Sequence, residues 1–357
     1  MEYKEFGKTG IKISAVGQGT MGIGGYFQKD LSRDDYYIKI LKTGIDLGMT
    51  FIDTAECYGE GHSEELVGKA IINNRDNIFI SSKVSPENLS YPRLIESAES
   101  SLRRMQIECI DLYQIHWPNP TIPIEETLKG MQKLIKDGKI RYIGLSNFTF
   151  DQIKLIINDI NETAIVSIQN EYNLFDRTVE NEILPFCHEK KMSLIAYSPL
   201  DHGNKFDNEK SEVLLNISQK YYIKPMQLML RWLTSKEGVF AIPKSAKVNH
   251  IKDNAVSTDF ILSKEDIKLI DNTFRSEIIN IPVDLIKSDK KGLDSFVPKP
   301  EELAKIIKTE KKIKPVRVHR IDNSCGKYKY NLTEGKLRFW AWVIAFNGKA
   351  PIQALVR

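Results

Sequence analysis

Short apolar runs alternate with longer amphipathic stretches along the first 275 residues. The runs are "KISAVG" (12–17), "TFID" (50–53), "IFISSK" (78–83), "IDLYQIH" (110–116), "IRYIGLS" (140–146), "IVSIQ" (165–169), "SLIAYS" (193–198) and "VFAIP" (239–243). They are short and rich in Ile, Val, Phe or Tyr, as strands covered on both faces are. Between them, "PRLIESAESSLRRM" (92–105) predicts a helix with Pro92 at its first position. "PIEETLKGMQKLIKDG" (123–138) has acids early, lysines late and Gly138 as a stop, which suits the helix dipole and a glycine C-cap. Eight such strand–helix units over ~250 residues predict a (β/α)8 TIM barrel. A doubly wound open sheet is the rival, and it places a glycine-rich phosphate loop between its first strand and first helix. "GQGTMGIGG" (17–25) has the glycines but no helix start among them, so it reads as a strand-end loop.

In such a barrel, chemistry sits where the strands end. The expected ends carry Asp53, Lys83, His116 with Trp117, Ser146 with Asn147, Gln169, Tyr197 with Ser198, and Lys244 with Ser245. Any one of these can be an ordinary polar cap. A polar group at seven successive ends points to one functional rim.

Asp53, Tyr58, Lys83 and His116 make a proton-donating set. A free phenol has a pKa of about 10, too high for an efficient acid at neutral pH. The expectation is that the Lys83 ammonium lowers it, with Asp53 as counter-charge to the buried lysine. His116 can hold a substrate oxygen beside this acid. A metal site is the competing use of His and Asp, but it wants more than one rim histidine. A carbonyl reduced by hydride gains charge on oxygen, which Tyr58 can protonate, and the hydride comes from a cofactor. Asn147 and Gln169 can bond a carboxamide, and Tyr197 can stack on a flat ring.

Residues 1 to about 275 resemble an aldo-keto reductase, through "GQGTMGIGG", "FIDTAECYGEGHSEELVGKAI", "SLRRMQIECIDLYQIHWP", "GKIRYIGLSNF", "QNEYNLFDR", "AYSPL" and "LRWLTSKEGVFAIPKSAKVNHIKDN". The resemblance implies NAD(P)H-dependent reduction of an aldehyde or ketone. It makes Tyr58 the general acid, with Asp53, Lys83 and His116 completing a tetrad. It assigns Ser146, Asn147 and Gln169 to the nicotinamide amide, Tyr197 to its ring, and the backbone of Ser198, Pro199 and Leu200 to the pyrophosphate. Lys244 and Ser245 fall to the 2′-phosphate of NADPH, Asp253 and Asn254 near the adenine, and Thr20 and Met21 join the cofactor contacts. Met21, Tyr26 and Trp117 are expected to wall the substrate. Three features depart from the pattern. His250 stands where NADPH-specific members often carry Arg, so NADH stays possible. Met21 replaces a frequent Trp. The stretch "DHGNKFDNEK" (201–210) is short where relatives have a long loop over the cofactor.

Charge separates the remainder. Residues 276–357 hold 17 Lys and Arg against 9 Asp and Glu, whereas the whole chain is only +4. A basic unit of this kind suits a nucleotide or nucleic acid, or simple solubility. Its pattern predicts strands at 281–287, 314–321, 327–332 and 351–356 and helices at 300–308 and 334–346, a second, smaller α+β domain. That order is similar to the ParB/sulfiredoxin-like N-terminal fold. By that resemblance Gly335 and Arg338, in "EGKLR", bind a nucleotide phosphate. Trp340 and Trp342, two positions apart, are not expected to face one core.

Four scattered cysteines (Cys57, Cys109, Cys187 and Cys325), with no CxxC pair, argue against a disulfide framework or a zinc site and suit a reducing cytoplasm. Cys57 reads as a buried thiol, and His62 as a loop residue before a helix capped by Ser63. Two function classes remain open. One is an NADPH-dependent carbonyl reductase; the other is a cofactor-binding redox sensor or adaptor whose tail binds a nucleotide or DNA.

Overall fold

The structure is a computed structural model that describes residues 1–159, 165–201, 208–274, 278–311, 313–321 and 327–356. Most of "DHGNKFDNEK" therefore lies outside the described residues, as does Cys325. The chain divides into two compact units, residues 1–118 with 124–274, and residues 119–123 with 275–357.

The first unit opens with an antiparallel hairpin, β1 (Tyr3–Glu5) and β2 (Lys12–Ser14). Eight parallel strands follow: β3 (Gln18–Gly19), β4 (Phe51–Asp53), β5 (Phe79–Val84), β6 (Ile110–Ile115), β7 (Ile140–Ser146), β8 (Ile165–Glu171), β9 (Ser193–Tyr197) and β10 (Val239–Ala241). Each pairs with its sequence neighbour. Parallel bridges from Val16 to Ala241 and from Gly19 to Lys244 join the first strand to the last. Among the described residues the α-helices α1 (Asp34–Asp46), α2 (His62–Ile71), α3 (Tyr91–Met105), α4 (Ile124–Lys136), α5 (Phe150–Asp159), α6 (Ile183–Glu189), α7 (Asn208–Lys220), α8 (Pro225–Thr234), α9 (Val248–Ala255) and α10 (Lys264–Thr273) connect or flank them. This is the (β/α)8 barrel architecture.

One expected strand is corrected. The run at 12–17 supplies β2 of the hairpin, and the barrel's first strand is the two-residue β3 inside the glycine stretch read as a loop. The reason is steric. A Cβ on Gly19 would lie 2.8 Å from the Ile242 carbonyl oxygen, so only glycine lets this strand approach the seam.

The barrel is layered from floor to rim. Phe6, from the hairpin, is fully buried against Phe51, Phe79 and Phe240, with ring centroids 6.2, 5.0 and 5.2 Å away. Those three lie at or near the starts of their strands, so the hairpin plugs the N-terminal end with apolar side chains. Above them the inward side chains turn polar: Asp53, Ser81, Gln114 and Gln169 are all buried. The helices follow the same logic outside. Helix α3 buries Leu94, Ala98, Leu102 and Met105, a 4-4-3 spacing on one face, and ends at Gln106 in the left-handed conformation (φ 56°).

The second unit holds β11 (Ile278–Ile281), β12 (Ile286–Lys287), β13 (Val316–Arg320), β14 (Tyr330–Glu334) and β15 (Ile352–Val356), in the order β11-β15-β13-β14-β12. Two helices, α11 (Pro300–Glu310) and α12 (Lys336–Ala345), pack on each other through Ala304, Ile307 and Ala341. The expected single strand at 281–287 is split. Pro282 has no N–H for a ladder, and the chain crosses there from one sheet edge to the other through a short turn at Val283–Leu285. The expectation for the indoles also fails. Trp340 and Trp342 both pack against the cluster of Val316, Val318, Phe339 and Ile352, because α12 is apolar without a break after Arg338 and both long indoles reach the same core. Among the described residues, no helix is long and apolar enough to cross a membrane.

Candidate active site

Two adjacent strands place the central ion pair. Asp53 ends β4 and Lys83 lies one residue before the end of β5. Lys83 is fully buried, and its Nζ donates to Asp53 Oδ1 at 2.5 Å and to the Thr54 carbonyl at 2.8 Å. Its third hydrogen points to the Tyr58 hydroxyl, 3.5 Å away. Asp53 Oδ2 accepts from Ser81 Oγ at 3.0 Å, Gln114 Nε2 at 3.3 Å and Gln169 Nε2 at 2.9 Å. The carboxylate is therefore saturated, which is what a buried charge requires.

Tyr58 stands on a turn that leaves β4 and folds back over the rim. Gly59, Glu60 and Gly61 all have positive φ (55°, 55° and 87°), which reverses the chain into α2 within three residues. Both flanks are anchored. Glu56 Oε1 accepts from the Ser85 N–H at 2.6 Å and Asn88 Nδ2 at 3.0 Å, and the Gly59 N–H donates to the Tyr26 carbonyl at 3.0 Å. His116 follows β6, its N–H on the Val84 carbonyl at 3.0 Å. Its ring meets Tyr58 edge-on, centroids 5.7 Å apart at 78°. Asp53, Tyr58, Lys83 and His116 thus converge at one end of the barrel.

The electrostatics correct one expectation. Burial pushes the Tyr58 phenol up to about 12, and the opposing pull of Lys83 does not overcome it because Asp53 cancels part of that field. Burial also works against the Lys83 ammonium, yet Asp53 and Tyr58 outweigh it and hold Lys83 above 10.5. His116 is held well below 6.5, first by burial and then by Lys83, so its imidazole is neutral at neutral pH. The set is a protonated phenol, an ammonium–carboxylate pair and a neutral imidazole.

The neighbouring strand ends carry the remaining rim groups. Ser146 ends β7 and is buried. Asn147 follows in the left-handed conformation (φ 66°), its Nδ2 donating to Ser146 Oγ and to the His116 carbonyl, both at 3.0 Å. Tyr197 ends β9, and its hydroxyl donates to Asn147 Oδ1 at 2.8 Å. Ser198 also has positive φ (46°), and Pro199 is buried between half-buried Ser198 and Leu200. Lys244 is exposed beyond β10, its Nζ 5.7 Å from the Tyr26 ring, and Ser245 is buried with its hydroxyl on the Lys247 N–H. His250, Asp253 and Asn254 lie on α9. There Asp253 is paired with Lys224 at 2.7 Å, and Asn254 is buried. Thr20 is buried under Ser63 Oγ, while Met21, Tyr26 and Trp117 are exposed. Gly335 and Arg338 belong to the other unit. Gly335 caps α12 with φ 89°, and Arg338 Nη1 donates to the carbonyls of Lys314 and Pro315 at 3.0 and 3.1 Å.

Two other expectations change. Cys57 is exposed, because the turn that presents Tyr58 lifts its neighbour to the surface. His62 is no loop residue. It is the first residue of α2, capped by Gly61, and is buried between Asp34 and Glu65, each 2.7 Å from a ring nitrogen. The sequence reading passed over Ser81, Gln114 and Glu56. Period two carried a signal for the first two: Ser81 lies two before Lys83 and Gln114 two before His116, on the same strand faces.

Comparison with known proteins follows the barrel. The model of the aldo/keto reductase family matches residues 15–274. The methylglyoxal reductase YeaE of Escherichia coli is 35% identical over 266 residues, spanning 74% of this chain and 92% of that protein. The glyoxal reductase of Bacillus subtilis is 37% identical over 240 residues, 66% of this chain and 83% of that protein. Among solved structures, the thermostable aldo-keto reductase Tm1743 with the inhibitor epalrestat is 44% identical, with a TM-score of 0.74 over 76% of this chain and 99% of that one. An aldo/keto reductase from Klebsiella pneumoniae, solved with NADP and acetate, is 33% identical, with a TM-score of 0.71 over 75% and 94%.

Proposed function

The chain belongs to the aldo/keto reductase family, and from that premise we propose that it reduces a small aldehyde or ketone to an alcohol with NADPH, Tyr58 acting as general acid. The observation that carries the reading is the Tyr58 hydroxyl 3.5 Å from a fully buried Lys83 that Asp53 neutralises. The rim chemistry fits the cofactor. A carboxamide needs both donors and acceptors, which the Ser146 hydroxyl and the Asn147 and Gln169 amides supply, and Tyr197 offers a half-buried ring. Solved relatives that carry NADP or NADPH support NADPH here. When bound, the dihydronicotinamide supplies the hydride that reduces the carbonyl carbon.

The chain's own groups do the rest. His116, neutral, donates a hydrogen bond to the carbonyl oxygen and orients it. Tyr58, fully protonated at neutral pH, gives its proton to that oxygen as negative charge develops. Lys83, an ammonium beside the phenol, stabilises the phenolate left behind, and Asp53 keeps Lys83 in place. The relatives that reduce methylglyoxal and glyoxal make α-dicarbonyls the first substrates to test. Met21 in the substrate wall leaves a less aromatic mouth for them.

The experiment is a stopped-assay panel of carbonyls with NADPH and NADH; a wild type that binds NADPH and reduces none of them sinks the reading and favours the sensor alternative. The protonation states set the pH profile. The active phenol is the acid form, so reduction persists up to the raised value and falls only as pH approaches about 12. The active imidazole is the neutral form, so loss on the acid side starts well below 6.5. We expect kcat to be flat from about pH 6.5 to about pH 10, and a limb centred near 6.5 is the contrary result. For the cofactor phosphate, Lys244→Ala is expected to raise the NADPH Kd about tenfold, one charge-assisted contact, with little change for NADH. Equal losses for both cofactors would remove Lys244 from phosphate recognition.

For the tail, the proposal is narrower. The tail, residues 276–357 with 17 basic and 9 acidic residues, suits an anionic partner. Arg338 would have to release two carbonyls and the Glu334 carboxylate, 3.7 Å away, to meet a phosphate, so nucleotide or DNA binding there rests on charge.

A further inference from the structure

We infer that Cys57 is a positioning residue, whose thiol hydrogen-bonds His116 Nδ1 and so keeps the imidazole proton on Nε2, the nitrogen left to meet the substrate oxygen. The inference deepens the proposed function and rests on its reading of His116 as the group that orients the carbonyl. Cys57 Sγ lies 3.6 Å from His116 Nδ1. Among the described residues the ring makes no other hydrogen bond: Tyr58 meets it edge-on, and Asn147 bonds the main-chain carbonyl instead.

The sulfur is not free to drift. It belongs to the turn that Glu56 ties to Ser85 and Asn88 on one side and Gly59 ties to Tyr26 on the other. The same anchors that present Tyr58 to the rim therefore hold the thiol against the ring.

The direction of the bond follows from protonation. The residue is exposed as a whole, yet loss of water around the sulfur pushes its thiol up to about 11, ahead of the opposing pull of Lys83. His116 is neutral for the reasons given above. A neutral thiol facing a neutral imidazole leaves two arrangements. In one, Nδ1–H donates to sulfur, a weak acceptor that the Ser85 hydroxyl already engages; in the other, S–H, a weak donor, meets the Nδ1 lone pair, a strong acceptor. The second is favoured. A neutral imidazole has one donor nitrogen and one acceptor, and the partner of the first decides the second. Occupying Nδ1 as an acceptor places the proton on Nε2, where it can donate to the oxygen that gains charge.

The test reads the tautomer directly and without turnover. Two-dimensional proton–nitrogen NMR on the whole chain, labelled at histidine and with His116 assigned through His116→Asn, should show one tautomer with the proton on Nε2. In Cys57→Ala, and in Cys57→Val, which keeps bulk without a donor, the Nδ1 resonance should move and the Nδ1–H form should appear. Cys57→Ser should restore the wild-type pattern. In parallel, kcat should fall roughly three- to tenfold in the alanine variant, the scale of one hydrogen bond, with a smaller change in KM and recovery in the serine variant. A wild-type ring protonated on Nδ1, or a His116 spectrum unchanged by both Cys57→Ala and Cys57→Val, overturns the inference. An inactive wild type would instead sink the proposed function while leaving the tautomer result standing.

Discussion

Tyr58→Phe is expected to lower kcat for carbonyl reduction by about 10²–10⁴-fold, the usual contribution of a placed general acid, while the NADPH binding curve stays where it is. The substitution removes one oxygen and keeps the ring, so the edge-on contact with His116 at 5.7 Å is preserved. Lys83 loses only its longest partner, 3.5 Å away, and keeps Asp53 and the Thr54 carbonyl. A fall in kcat with an intact cofactor Kd assigns proton donation to the phenol. Retained activity would move the acid elsewhere. Because Tyr58 is protonated well above neutral pH, the deficit should not be repaired by lowering the pH.

The second large effect concerns the ion pair beneath it. Lys83→Met should abolish measurable reduction and also cost about 3–5 kcal/mol of stability, the usual penalty for breaking a buried pair. The cost arises from Asp53, left charged and almost without water, although Ser81, Gln114 and Gln169 still donate to it. Adding Asp53→Asn to Lys83→Met removes the stranded charge and keeps a carbonyl oxygen for those donors. The double variant should regain much of the lost stability in urea titrations and none of the activity. If Lys83→Met alone unfolds at the wild-type urea concentration, the pair is not holding the barrel, and its role is confined to chemistry.

The strand ends were legible because strands announce themselves locally. "IFISSK", "IDLYQIH" and "IRYIGLS" are compact β-branched runs, and their last residues are the observed ends of β5, β6 and β7 to within a residue. The first strand was not. "KISAVG" is as apolar as the others, but it is used in the hairpin and in the approach to the barrel, and a two-residue glycine strand completes the wall. Nothing local distinguishes the two uses, since the deciding contact is with Ile242, more than two hundred residues away. The 281–287 run fails for a related reason. Its pattern is strand-like throughout, and only the sheet shows that its two halves belong to opposite edges.

The sequence by itself determined which side chains stand at the barrel's strand ends, because period, run length and turn residues are properties of neighbouring positions. It therefore contained Asp53, Lys83, His116 and the turn bearing Tyr58. Tertiary structure decided what those groups are. Burial outweighs Lys83 and keeps Tyr58 protonated, the same burial keeps His116 neutral, and the turn anchored at Glu56 and Gly59 lays Cys57 against the imidazole. Charge state and hydrogen-bond direction depend on distance and access to water, and neither can be read from the order of residues along the chain.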